Sequence, residues 1–90
     1  MNFEDLTSEE TIKSALNWIS ECIQGAMIAK EPFVNFTFKP TENNPLDAIF
    51  DFVLRIKECI VDYGFSAWVV LDNKNQLVNM RIVLEEQRRN

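Results

Sequence analysis

Apolar and polar positions follow two different periods along the chain, and each change of period marks a change of element. Between residues 12 and 27 apolar side chains recur every three or four positions, which predicts a helix over about 8–30. Thr7 and Glu10 have the spacing of a capping box at its start. Because Pro32 disfavours helical backbone in the residue before it, the helix is expected to end ahead of this proline.

A strand and a second helix are predicted next. The segment 33–39 alternates strictly between apolar and polar residues, which is typical of a strand with one buried face. Asn44 is placed to cap a second helix that begins with Pro45, and Gly64 is placed to end it in a left-handed conformation. The buried face of the strand is expected to carry Val34, Phe36 and Phe38.

Two strands joined by a turn close the chain. The segment 65–71 is almost continuously apolar, which favours a central strand covered at least partly on both faces, and 72–76 has turn chemistry. The segment 77–84 alternates again and predicts the last strand. A helix between the first two strands implies a right-handed crossover and parallel strands. The predicted fold is an α/β domain of the α+β kind, a two-layer sandwich in the order α-β-α-β-β, with two helices packed on one face of a three-stranded mixed sheet.

Composition limits the size and the chemistry of this domain. Ninety residues with 47% hydrophobic side chains predict a single domain over 1–90, with 1–6 and 85–90 frayed. The chain has no histidine and two glycines, so we expect no imidazole catalysis, no ordinary zinc site and no phosphate-binding loop. Cys22 and Cys59 lack metal-site or redox-motif spacing and are interpreted as small buried side chains. No catalytic residue, cofactor or metal ligand is predicted.

The charge and hydropathy of the chain limit the classes of partner that it is expected to bind. The net charge is −5, and residues 1–31 hold six acidic against two basic side chains. This balance opposes binding to duplex nucleic acid, whose affinity comes mainly from clustered lysine and arginine. No segment is apolar for long enough to cross a membrane, and the first residues are acidic, unlike a signal peptide. We therefore expect a cytoplasmic protein.

The second helix has more apolar surface than one sheet covers. Phe50, Leu54 and Val61 extend its apolar arc beyond the face predicted to meet the sheet. One interpretation is that the first helix packs alongside and covers Phe50 and Leu54. The other is that the arc is a dimer contact or a groove for a partner.

The first helix carries a second row of small or aromatic residues beside its main apolar stripe. Trp18, Cys22, Gly25 and Ala29 form this row. Because glycine destabilises a helix interior, Gly25 suggests that another backbone or ring approaches closely. That neighbour is either the second helix or, through Trp18, a second copy of the chain.

The face of the sheet away from the helices is a further candidate. An exposed Trp68 beside Lys39 and Arg81 would be able to stack a nucleic-acid base or a peptide aromatic, with Arg88 and Arg89 as further cations. The alternative is an amphipathic surface on which lysine and arginine stems shield Trp68.

These patterns predict a small acidic, non-enzymatic protein-binding module. We expect a homodimer that acts as an inhibitor or regulator of a partner protein, of the kind that phages and mobile elements encode. The candidate contact residues are Trp18, Cys22, Gly25, Phe50, Leu54 and Val61. Alternative functions are a single-stranded nucleic-acid binder that uses Lys39, Trp68 and Arg81, a structural subunit of a larger assembly, or an enzyme or carrier with a pocket between the helices.

Overall fold

The computed structural model describes residues 6–84 and contains two helices and three strands. Their order, α-β-α-β-β, is the predicted one. The first residues of the chain and 85–90 lie outside the described residues, and so do Arg88 and Arg89. The elements are α1 Glu9–Ile28, β1 Phe33–Phe38, α2 Leu46–Asp62, β2 Ser66–Asp72 and β3 Leu77–Val83.

The first helix begins one residue later than the capping-box pattern predicts. Ser8, not Thr7, is the N-cap: its backbone is extended, and its hydroxyl accepts a hydrogen bond from the backbone N–H of Glu10 at 3.1 Å. Both residues have a hydroxyl that is able to cap, so the pattern does not distinguish them. Leu6, predicted to be frayed, is instead buried in the core at 6% exposure.

The second helix also begins one residue later than predicted. The N-cap position belongs to Pro45 and not, as predicted, to Asn44, and Pro45 provides no side-chain hydrogen bond. The backbone of Asn44 takes part in the preceding turn. Its N–H donates to the carbonyl and hydroxyl oxygens of Thr41, and its carbonyl accepts from the N–H of Thr41.

The C-terminus of α2 confirms the prediction for Gly64. This glycine has φ 104°, and its N–H donates to the carbonyl of Val61 at 2.9 Å. The N–H of Phe65 donates to the carbonyl of Ile60 at 3.3 Å, which completes a Schellman motif. The chain therefore turns directly from α2 into β2.

The same motif ends α1, but a lysine occupies the left-handed position. Lys30 has φ 63°, and its N–H donates to the carbonyl of Met27 while that of Glu31 donates to Ala26. A side chain with a Cβ is strained in this conformation relative to glycine.

The sheet order is β1-β3-β2, and both pairs of strands are antiparallel. The predicted mixed sheet and the central position of β2 are therefore wrong. β1 and β2 do run in the same direction, but β3 returns from the 73–76 turn and pairs with both of them. The apolar run in β2 suggested coverage on both faces, yet Trp68 and Val70 on one face are 52% and 58% exposed.

The hydrophobic core lies on one face of the sheet and includes residues of both helices. From β3 it takes Val78, Met80 and Ile82, each 0% exposed, and from β1 it takes Phe36 and Phe38. α2 lies against β2 and β3, whereas α1 lies against β1 and α2. The helical part of the core comprises Ala15, Ile19, Ile23, Ile49, Phe52, Val53, Ile56 and Ile60.

Replacing Lys30 with glycine should stabilise the protein. Glycine has no Cβ to clash in the left-handed conformation at φ 63°, so we expect the free energy of unfolding to rise by about 1 kcal/mol. Urea denaturation of Lys30→Gly and wild type measures the difference. Lys13→Gly, in the body of α1, is the control and should lower stability by about 1 kcal/mol. A destabilised Lys30→Gly variant would contradict the strained C-cap.

Candidate functional site

The face of the sheet opposite the core is exposed and forms a regular grid. We call this surface the open face; the strand register arranges it in rows that cross β1, β3 and β2 in that order. The first three rows are Phe33–Val83–Ser66, Asn35–Arg81–Trp68 and Thr37–Asn79–Val70, and Leu77–Asp72 continues them on β3 and β2.

Arg81 occupies the centre of the open face and is held there by two contacts. Its Nε donates a hydrogen bond to Oδ1 of Asn35 at 3.0 Å. Its guanidinium carbon lies 4.2 Å from the centroid of the Phe33 ring, a cation–π contact. Because both partners are on β1, the guanidinium is drawn toward that strand, and Trp68 lies opposite Arg81 on β2.

A broad groove covers this grid. Its volume is about 760 Å³, and its lining includes Phe33, Trp68, Val70 and Arg81. Thr37 and Asn79 form part of the floor, where the Thr37 hydroxyl donates to Oδ1 of Asn79 at 2.8 Å. The groove thus combines exposed aromatic and aliphatic side chains with a fixed cation. This combination suits an apolar side chain that has a carboxylate or carbonyl close by.

The structure brings together only two of the three residues predicted for this face. Trp68 and Arg81 are register partners, but β1 ends at Phe38 and Lys39 lies beyond it. Two strand spacings and two rows separate Lys39 from Trp68, a distance of about 17 Å. Phe33 was not predicted to belong to this face, although it is two residues from Asn35 and therefore lies on the same side of β1.

The residues predicted on the helices form two separate surfaces. The groove between the helices, about 360 Å³, is lined by Ile12 and Leu16 of α1 and by Arg55 and Cys59 of α2. Phe50 lies nine residues before Cys59, which is about 180° around the helix axis. Helix α1 therefore packs on the opposite side of α2, and the interpretation that it covers Phe50 and Leu54 is wrong.

The second row of residues on α1, which contains Trp18, faces away from α2. Leu16, Ser20 and Gln24 line a second groove of about 390 Å³ that reaches Ile60, Tyr63 and Phe65. Trp18 lies about 200° from Leu16 around the helix and packs edge-on against Phe36 of β1, with ring centroids 5.3 Å apart. We call Trp18, Cys22, Gly25 and Ala29 the α1 flank, and Phe50, Leu54, Lys57 and Val61 the α2 flank.

Gly25 makes no close approach to α2. A Cβ built on Gly25 would meet no atom of a packing neighbour within 4 Å. The interpretation that this glycine admits the second helix is therefore wrong. Within the α1 flank, Trp18 and Cys22 are half-buried against the core, whereas Gly25 and Ala29 are exposed.

No protein-family model, curated protein or solved structure matches this chain. Among residues 6–84, no three side chains of the metal-binding types come together, and no helix is long and apolar enough to cross a membrane. Cys22 and Cys59 are free and half-buried. The function of the open face is therefore inferred from its own geometry.

One carboxylate near this face has a shifted pKa. Asp72, at the end of β2, accepts hydrogen bonds from the side-chain N–H of Asn75 at 2.9 Å and from its backbone N–H at 3.1 Å. These bonds, the side-chain bond first, lower the pKa of Asp72 because they favour the ionised carboxylate. They also hold the turn that aligns β2 with β3.

Acid should weaken this turn. Because the folded-state pKa of Asp72 is lowered, its stabilising contribution is present above the ordinary aspartate pKa and is lost as pH falls through the lowered value. NMR titration of the Asp72 carboxyl carbon should show a midpoint below the ordinary value, and Asn75→Ala should raise it. An unchanged midpoint in Asn75→Ala would refute this assignment.

Substituting Gly25 tests whether the isolated chain needs this glycine. Since a Cβ at position 25 has open space, Gly25→Ala should raise the free energy of unfolding by about 1 kcal/mol. Thermal or urea denaturation of the two proteins measures this change. Ser20→Ala, also exposed on α1, is the control and should have the smaller effect. A loss of stability in Gly25→Ala would indicate a packing contact at this position.

Proposed function

We propose that this chain is a non-enzymatic protein-binding module that holds a partner protein on its open face. It is a two-layer α+β protein that works in the cytoplasm as an inhibitor or regulator, of the kind that phages and mobile elements encode. The observation that carries this proposal is the groove around Arg81, with Trp68 and Val70 left more than half exposed beside it. Exposed aromatic side chains next to an arginine are typical of the residues that dominate protein interfaces.

Side chains of the open face are already held in place within the chain itself, which supports a binding role. Arg81 is held by Asn35 and Phe33, so little side-chain entropy remains to be lost when a partner binds it. The Thr37–Asn79 hydrogen bond likewise fixes the floor of the groove. A partner segment with an aromatic or branched aliphatic side chain would fill the space beside Trp68. A nearby carboxylate or backbone carbonyl would then pair with the guanidinium.

The charge of this face favours a protein over a nucleic acid. Arg81 is the only cationic side chain within the rows of the open face among residues 6–84, and Lys39 lies beyond them. Single-stranded nucleic acid requires a positively charged groove that follows its backbone. The exposed acidic residues Glu9, Glu10 and Glu21 on α1 further oppose a polyanion, and they complement a basic region on a protein partner.

A capture experiment with matched variants tests this function. The immobilised wild-type protein should retain a specific partner from a lysate of the source cells, and the purified partner should then bind with measurable affinity. Trp68→Ala and Arg81→Ala should each weaken that affinity about tenfold or more. Tyr63→Ala is the control, because Tyr63 is an aromatic residue with 74% exposure away from the open face. A partner whose affinity is the same for all four proteins would refute the open face as the binding site.

A fluorescence titration tests the nucleic-acid alternative separately. In Trp18→Phe, Trp68 is the only tryptophan and reports directly on the open face. Single-stranded oligonucleotide at low salt should leave its emission unchanged. Quenching that is lost at high salt would instead show that the open face binds nucleic acid.

A further inference from the structure

Edge strand β2 is less protected than edge strand β1. Pro32 and Lys39–Pro40 flank β1, and these residue types hinder the addition of another strand, whereas the seven residues of β2 contain no proline, lysine or glycine. The core is also more open on this side. The core-facing residues of β2, Ala67, Val69 and Leu71, are all partly exposed, whereas those of β3 are fully buried.

The α2 flank lies on the same side of the molecule as edge strand β2. Because α1 packs against the Cys59 side of α2, the opposite side faces outward past β2. Phe50, Leu54, Lys57 and Val61 are spaced four, three and four residues apart, so they form one continuous stripe. Phe50, Leu54 and Lys57 are half-buried, and Val61 is 44% exposed. Among residues 6–84 no further strand pairs with the outer edge of β2, so an open strand edge and the α2 flank lie side by side.

We propose that a second copy of this chain binds here, pairing β2 antiparallel with its own counterpart across a two-fold axis at Val69. This register pairs all seven residues of β2, Ser66 with Asp72, Ala67 with Leu71 and Trp68 with Val70. Trp68 and Val70 of each copy then form two aromatic–branched pairs, which stabilise antiparallel sheets. The only charge on the strand, Asp72, meets a serine and not a second carboxylate.

The position of α2 is compatible with this axis. Strands are about 4.8 Å apart, so a helix lying over the middle of β2 and β3 would be about 10 Å from its symmetry mate. Packed helices are about 8–10 Å apart. Because α2 contacts both β2 and β3, the two copies of α2 would be in contact as soon as the strands pair.

The positions of residues along the axis of α2 also agree with a two-fold axis at Val69. Val69 lies five residues after Gly64, or about 17 Å along the strand, which corresponds to about 11 residues of helix. Counting back from Tyr63, the two-fold axis therefore passes near Phe52. Residues at equal distances on either side of this point face each other, so Phe50 of one copy meets Leu54 of the other. Asp47 of one copy meets Lys57 of the other, an opposite-charge pair made twice.

The resulting dimer has a continuous six-stranded sheet with the two open faces side by side. Its interface is self-complementary in hydrogen bonding and in charge, as a two-fold interface requires. The dimer shares Trp68 and Val70 with the open face, but its test is independent of the proposed function, because Leu54, Asp47 and Lys57 are on α2 and do not line the groove of the open face.

Sedimentation equilibrium of the full chain from micromolar to millimolar concentration tests the dimer. Wild type should sediment at twice its 10.5 kDa mass. Leu54→Glu should raise the dimer dissociation constant at least about tenfold, because it places a charge against Phe50 of the second copy. Ala29→Glu, on the α1 flank, is the matched control and should leave the dissociation constant unchanged.

A charge exchange tests the register even if Leu54→Glu impairs folding. Lys57→Glu and Asp47→Lys should each weaken self-association, because each creates two like-charge contacts. An equimolar mixture of the two proteins should restore the dimer, since both contacts then join opposite charges. A monomeric wild type, a dimer lost in Ala29→Glu but not in Leu54→Glu, or a mixture that associates no better than its components would each overturn the proposal. Partner binding that is lost in Arg81→Ala within an intact dimer would separate this interface from the open face.

Discussion

The insertion of β3 between β1 and β2 is the constraint on which the rest of the structure depends. Val78, Met80 and Ile82 are 0% exposed because β3 is covered by a strand on each side and by α2 on one face. Pairing on both edges also fixes the register of both neighbouring strands. Since a shift by one residue would turn every apolar side chain of a strand away from the core, the buried face selects one register.

The same register creates the open face. Strand side chains alternate between the two faces, so burying Met80 and Ile82 necessarily places Arg81 outside, between Asn35 of β1 and Trp68 of β2. The site is therefore a consequence of the core and not a separate feature added to it. Asn35 and Phe33 on β1 hold the guanidinium, and Trp68 and Val70 on β2 remain exposed.

The surplus of apolar surface predicted from the helices is divided between two ends of the molecule. The α1 flank lies beside β1, where Trp18 is already packed against Phe36. The α2 flank lies beside β2, where the core-facing strand residues are partly exposed and no proline or lysine blocks the edge. The two helical surfaces therefore differ in how much of their apolar area the protein itself covers, and only the second is next to an unblocked strand.

Local pattern alone determined the five elements, their order and the alternation of buried and exposed positions in β1 and β3, because helix and strand periods depend on neighbours within a few residues. It also located Gly64, where a left-handed backbone favours glycine. It could not distinguish Thr7 from Ser8 as a cap, since both have a hydroxyl. Strand order and the side of α2 that meets α1 were decided only by tertiary structure. Backbone hydrogen bonds are alike for any pair of strands, so the sequence pattern did not reveal that β3 separates β1 from β2, and Lys39 was grouped with Trp68. An apolar arc does not specify which neighbour covers it, so Phe50 was assigned to the wrong neighbour.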